Sequence, residues 1–438
     1  IYRSCHALLF GSEIKALFRH PECAPEIDKE GLFEYLSFQN FFTERTLFKG
    51  VSILPPGSWL SVDEEGAQRV ETYWDFSFSE PELTDSRNEY EYREELYRLL
   101  RQAVKRQLVA DVEIGAFLSG GMDSGTITAL AACELPNMRT FTCGFDLRSA
   151  SGIELGMDER EKAEYMSYLY RTEHYQMVLK AGDMQQVLPK LTWHLEEPRV
   201  GQSYPNFYVA QLASKFCKVT LAGDGGDELF AGYPWRYYRA VVNDDFEHYI
   251  DKYQLYWQRL LPSDSINKIF APIWPDISHI STREIFKNVF HGHAHQLTRP
   301  EDYINHSLYF EAKTFLHGLL VVEDKISMAH GLETRVPFLD NDLVDFAMSV
   351  PVSLKLGNLG EVVRLDENEP GPKTSKYFQQ TRDGKLLLRR VMERYYLDRS
   401  TIQSLINDHL TGKENRRLLI WSLLTLEEWL KHLEANKW

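Results

Sequence analysis

The string Ser119-Gly120-Gly121-Met122-Asp123-Ser124 follows an apolar stretch, Ile114–Leu118, and precedes an apolar helical stretch, Thr126–Cys133. Paired glycines between a strand and a helix let backbone approach an anion closely. Ser119, Ser124 and the N–H groups of the helix start supply donors for it. A phosphate is the natural occupant, yet the string lacks the Gly-Lys-Ser/Thr ending of a Walker loop. Asp123 stands where a phosphate-gripping lysine might be expected. A carboxylate beside phosphates requires a cation between them, so Asp123 reads as a Mg²⁺ ligand. A second string, Gly223-Asp224-Gly225-Gly226-Asp227-Glu228, leaves the apolar run Val219–Ala222. In a parallel sheet both strings fall on the carboxyl edge, where ligands bind. Carboxylates from two strands there can share one Mg²⁺ beside departing pyrophosphate.

The elements around these strings alternate. Leu96, Leu99, Leu100, Ala103, Val104 and Leu108 have helical spacing. Strands are expected at Ile114–Leu118, Arg139–Phe145, His174–Leu179 and Val219–Ala222, with helices at Glu159–Tyr170, Met184–Leu195 and Asn206–Phe216 between them. That order predicts an α/β fold: a parallel sheet with helices on both faces. From about residue 233 the pattern is mostly helical. Residues 1–75 read as a β-rich unit, with a strand and turn at Ala7–Ser12, a short helix at Glu13–Phe18 and a strand at Ser58–Val62. Residues 76–90 are polar and are expected to link it to the rest, 91–438.

Composition bounds the partners. The chain has 438 residues, 43% hydrophobic and 13% aromatic, with net charge −15. That supplies a large core and repels a nucleic-acid backbone. Five scattered cysteines without CxxC spacing fit reduced thiols and a cytoplasmic location. No apolar run is long enough for a bilayer. His291, His293 and His295 alternate without other ligand types nearby and read as a solvated loop. The first residues read as the middle of a domain.

Ser119–Ser124 after an apolar strand resembles the pyrophosphate-binding loop of the N-type ATP pyrophosphatases. Leu221–Tyr233, Lys325–Asp340 and Asp383–Arg389 narrow the likeness to the synthetase domain of glutamine-dependent asparagine synthetases. Residues 8–17 and 50–63 resemble the end of that family's glutaminase domain, of the Ntn type. The resemblance implies a Rossmann-like adenine-nucleotide hydrolase fold for the synthetase part, with ATP and Mg²⁺ as cofactors. It implies that ATP adenylates the β-carboxylate of aspartate, and that glutamine-derived ammonia displaces AMP to give asparagine. It places ATP against Leu118, Ser119, Gly120, Gly121, Asp123, Ser124, Cys143, Ala222 and Gly223. It gives metal binding to Asp123 and Asp227, and catalysis to Asp224 and Lys385. Leu118 and Cys143 match adenine-pocket positions, and Lys385 a phosphate-contacting lysine. A carboxylate at 224 is suited to take a proton from attacking ammonia. A homodimer is implied by resemblance alone.

Two departures stand out. No cysteine matches the family's N-terminal glutaminase nucleophile, since Cys5 precedes a strand of that domain's later half; the chain as written is expected to use free ammonia. The stretch Glu196-Glu197-Pro198-Arg199-Val200-Gly201-Gln202-Ser203 differs from the Asp-Glu-Pro pattern of aspartate-using relatives. Arg199 can pair with an acceptor carboxylate or with Glu196. The acceptor is therefore aspartate or another carboxylate, such as a sugar acid or a peptide.

Overall fold

The computed structural model describes residues 1–4, 6–64, 66–82, 85–146, 148, 158–180, 182–199, 203–241, 245–258, 260–261, 265–290, 297–356, 390–435 and 438. Lys385, the Asp383–Arg389 motif and the three alternating histidines lie outside them.

Among the described residues nine strands occur in chain order: β1 (Tyr2–Arg3), β2 (Leu8–Leu9), β3 (Ser58–Val62), β4 (Gln68–Thr72), β5 (Ile114–Phe117), β6 (Arg139–Phe145), β7 (Glu173–Leu179), β8 (Val219–Leu221) and β9 (Glu333–Arg335). The last five form one parallel sheet in the order β7-β6-β5-β8-β9. The chain winds outward from β5 through β6 to β7, then returns to lay β8 on the other side of β5. The strand order therefore reverses between β5 and β8. Such a switch point opens a crevice beyond the carboxyl ends of the two strands. Register puts Ala116 beside Leu221, so the loops leaving β5 and β8 emerge as neighbours.

Local chemistry explains the flanking elements. The helix Glu89–Gln107 opens on a capping box between Asn88 and Glu91 and buries Leu99, Leu100, Ala103 and Val104 against the sheet. β5 and β8 are buried on both faces, hence their short apolar runs. The helix Asp183–Leu195 tolerates Pro189 inside it, and ends at Glu196 in a left-handed conformation, φ 60°.

Residues 1–75 hold two antiparallel pairs, in which the expected strands near Ala7–Ser12 and at Ser58–Val62 take partners that were not read, β1 and β4. Between them the structure adds a ten-residue helix, Lys29–Phe38, capped by the Asp28 carboxylate. Its residues Leu32, Phe33, Tyr35 and Leu36 share one core with Ile402, Leu405, Leu419 and Trp429 from the C-terminal helices Arg399–Leu410 and Arg417–Glu434. Among the described residues from 76 to 88 there is no regular element, but Phe76 and Phe78 pack against buried side chains and the Ser79 N–H donates to Met348 O at 3.2 Å. Beyond residue 233 the described chain is helical except for β9. No helix of the described residues is long and apolar enough to cross a membrane.

Candidate active site

The glycine loop is built on two serines. The Ser119 N–H donates to Ser124 Oγ at 3.1 Å, the two hydroxyls lie 2.8 Å apart, and the Gly121 N–H donates to Ser119 Oγ at 3.0 Å. These bonds curl the backbone into the start of the helix Met122–Glu134, which carries Asp123 in its first turn. Leu118 is buried, and its carbonyl accepts from the Thr142 hydroxyl of β6. Cys143 lies one residue further along β6; burial pushes its thiol up to about 12, so it is a neutral apolar wall.

The acidic loop meets the glycine loop through missing side chains. A Cβ on Gly223 would lie 2.9 Å from Ser124 N and 3.2 Å from Asp123 Cβ. One on Gly226 would lie 2.6 Å from both Cγ and Oδ2 of Asp123. Asp123 thus occupies the space that two glycines of the other loop leave open, its Cβ beside Gly223 and its carboxylate beside Gly226. Asp227 sits in the short helix Gly226–Phe230, with its carboxylate where any side chain at Gly232 would have to go. Gly225 turns the loop at φ 98°, a conformation that favours glycine. Ala222, which follows β8, donates its N–H to Arg335 O of the neighbouring strand end at 2.9 Å.

Charge is concentrated there. Burial, with Asp227 and then Asp224 adding repulsion, pushes Asp123 up to about 6. Burial raises Asp224 as well. Two further carboxyls complete the cluster: Glu228, already in the acidic string, and Glu323, not singled out by sequence reasoning. Glu228 accepts from the Tyr233 hydroxyl at 2.9 Å and the Gly225 N–H at 3.2 Å; burial drives it up to about 7. Glu323 accepts from Ser327 at 3.2 Å, Thr334 at 3.3 Å and Asn206 at 3.3 Å; burial and then Asp224 drive it up to about 7. Glu323 had a signal: it is a carboxylate on the buried stripe of its helix, with Gly318, Ile326 and Ser327. Like charges this close disfavour joint ionisation unless a cation intervenes. The donor set is oxygen only, which suits Mg²⁺. Among the described residues no three His, Cys, Asp or Glu side chains form a complete ligand group. Asp123 and Asp227 therefore fit a partial shell, which water and phosphate oxygens would complete.

A basic side chain that sequence reasoning missed borders the loop. The aliphatic stem of Lys162, from the helix Arg160–Tyr170, lies against Gly120, where a Cβ would be 2.6 Å from the lysine Cβ. Its position could not be read from spacing, since the helix reaches the loop only by packing.

The structure overturns one of the two readings of Arg199, the pairing with Glu196. The Arg199 guanidinium donates to Glu197 at 2.7 Å and to Asn40 at 2.8 Å, and is not paired with Glu196. Glu196 is fully buried and takes Ile14 N–H, Lys15 N–H and the ammonium groups of Lys15 and Lys325. Arg335 and Glu333 pair at 2.6 Å, as their spacing suggests. His330 packs against Phe207 with ring centroids 4.4 Å apart, whereas Met328 is 53% exposed.

A parallel sheet whose switch point joins a glycine loop to an oxygen-rich acidic loop defines a nucleotide-site α/β protein. Residues 95–396 match asparagine synthase, and the chain belongs to that family. Residues 1–74 match the glutamine amidotransferase domain. The chain is 26% identical over 448 aligned residues to asparagine synthetase [glutamine-hydrolyzing] 1 of Bacillus subtilis, covering 92% of this chain and 69% of that protein. It is 28% identical to asparagine synthetase [glutamine-hydrolyzing] 3 of the same species, covering 80% of this chain and 56% of that protein. It is 25% identical to amidase chyE of Penicillium rubens, covering 81% of this chain and 59% of that protein.

Proposed function

We propose that this chain is the ATP-using part of a glutamine-dependent amidoligase that converts aspartate, ATP and ammonia to asparagine, AMP and pyrophosphate. The observation that carries the reading is the seating of the Asp123 carboxylate in the open face of the Gly223–Asp227 loop. ATP would lie with its adenine between Leu118 and Cys143, near Ala222 and Gly223, and its phosphates over Ser119–Ser124. Mg²⁺, when bound by Asp123 and Asp227, supplies charge neutralisation on the pyrophosphate as it leaves. The helix N-terminus, Ser119 and Ser124 hold the phosphates, and Lys385 is assigned the negative charge that develops between Pα and Pβ. A carboxylate oxygen of the acceptor attacks Pα, the bond from Pα to the α–β bridging oxygen breaks, and pyrophosphate leaves with that oxygen. Ammonia then attacks the acyl carbon, AMP departs, and Asp224 is assigned the proton that ammonia loses. Glutamine is the proposed nitrogen source for the whole protein, given the amidotransferase match at residues 1–74.

A second acceptor reading has its own support. Arg199 is engaged by Glu197 through Nε and by Asn40 through Nη2, so part of its guanidinium is already committed within the protein. A related amidotransferase or cyclase that adenylates another carboxylate is therefore the alternative. Assaying pyrophosphate release with ATP, Mg²⁺, ammonium and a panel of acids separates the two. Aspartate-dependent release with equimolar asparagine supports the first, and release only with another acid supports the second. No release with any acid sinks both.

Two variants test the geometry. Gly226→Ala forces the Asp123 carboxylate to move from 2.6 Å contact, and displacements of that size cost about 10²-fold in turnover. The circular dichroism spectrum should stay unchanged. Lys162→Met removes a cation beside the phosphate loop and should raise KM for ATP roughly fivefold, the scale of one charge-assisted contact. An unchanged KM would take Lys162 out of the site.

A further inference from the structure

Behind the acidic loop lies a buried polar assembly. The long helix from Pro300 to Met328 widens into a π-turn at Glu311–Leu316. Such widened turns re-aim side chains and are common beside functional sites. This one delivers two groups to the same place. Glu311 is fully buried, accepting from Arg236 Nη1 at 2.9 Å and from the Tyr253 hydroxyl at 3.0 Å. Phe315 lies 4.3 Å from the Arg236 guanidinium carbon, measured to the ring centroid. The guanidinium carbon also lies 3.6 Å from the Tyr233 ring centroid. Tyr233 and Phe315 meet edge to face at 90°.

The contacts continue in one direction. The Tyr233 hydroxyl donates to Glu228 Oε1 at 2.9 Å, and Glu228 Oε2 accepts the Gly225 N–H at 3.2 Å. Gly225 is the left-handed hinge between Asp224 and Asp227. A line of fixed contacts thus runs from the π-turn to the backbone of the acidic loop. A buried ion pair is a poor source of net stability, and an apolar pair of the same volume often does as well. What Arg adds is a flat, rigid cation whose stacking sets the angle of an aromatic ring, which Lys does not reproduce.

We propose that Arg236, clamped by Glu311 and Phe315 of the π-turn, is a positioning residue for the acidic loop, acting through Tyr233 and Glu228 on the turn that carries Asp224 and Asp227. Its kinetic consequence rests on the ATP-site reading above; its structural consequence does not. Two variants probe it: Arg236→Lys keeps the charge opposite Glu311, and Tyr233→Phe removes a single hydroxyl and keeps the ring. Hydrogen–deuterium exchange across residues 223–232 should quicken about tenfold in each, with exchange in β5 and β6 unchanged. The double variant should exchange no faster than the quicker single, because the two act in series. In the pyrophosphate assay both should lower kcat and raise the Mg²⁺ concentration needed for half-maximal rate, with KM for ATP changed less than about twofold. Unchanged exchange in Tyr233→Phe, or additive effects in the double variant, would overturn the proposal. Absence of pyrophosphate release by the wild type would instead defeat the ATP-site reading and leave the exchange result to stand alone.

Discussion

Asp227→Asn should abolish metal-dependent turnover, by about a thousandfold or more, while leaving the fold intact. The scale follows from the several kcal/mol that a catalytic cation supplies to departing phosphate oxygens. Asparagine keeps the volume beside Gly232, where the Asp227 carboxylate fills the space of a side chain, so packing is preserved. What changes is charge: one fewer carboxylate faces Asp123, which burial and then repulsion from Asp227 and Asp224 raise. The variant should therefore be at least as stable as the wild type in the absence of metal. Wild-type turnover in Asp227→Asn would remove it from the metal shell and from the account of the site.

The largest effect on stability is expected at Glu196. It is fully buried where the helix Asp183–Leu195 ends, and it joins residues far apart in the chain. Its carboxylate takes the Lys15 N–H at 2.7 Å, the Ile14 N–H at 3.1 Å and the Lys325 ammonium at 2.5 Å. Glu196→Ala leaves two cations and two amides without their acceptor, and losing one partner of a buried pair costs about 3–5 kcal/mol. The urea midpoint should fall accordingly, and a loss below about 0.5 kcal/mol, the range of ordinary surface changes, would contradict the role assigned to Glu196. The pH dependence has a definite sign. Burial opposes ionisation of Glu196, but Lys325 and Lys15 more than offset it and hold its carboxyl below the ordinary value of 4.5. A depressed folded value means the stabilisation is fully present above that ordinary value and is lost as pH falls through the folded one. The advantage of the wild type over Glu196→Gln should thus be constant near neutrality and shrink only below about pH 4.5.

These two residues also mark how far the sequence could be read. Asp227 was legible because glycines, aspartates and a preceding apolar strand stand together within a few positions. The strands flanking both loops were legible for the same reason: β6 runs over Arg139–Phe145 as its composition suggests. The adjacency of β5 and β8 was not, because strand order is set by packing between segments about a hundred residues apart. Glu196 was visible only as half of a Glu-Glu pair, since its lysine partners lie 181 and 129 residues away. Arg199 invited a ligand role because arginine suits carboxylates, and only the fold shows Glu197 and Asn40 claiming it first. The helix Lys29–Phe38 escaped for another reason. Residues Gly31 to Phe38 are all buried, so no polar face gives it a helical period. Likewise nothing in Glu311–Leu316 announces a π-turn, because the extra residue per turn shows in backbone hydrogen bonding alone.

The central claim is that a carboxylate oxygen of the acceptor attacks Pα at the Ser119–Ser124 loop. Aspartate labelled with ¹⁸O in its β-carboxylate, turned over with ATP, Mg²⁺ and ammonium, tests it directly. The account predicts one ¹⁸O in the AMP, none in the pyrophosphate, and asparagine retaining the other. Unlabelled AMP, or ADP and phosphate in place of AMP and pyrophosphate, would contradict it.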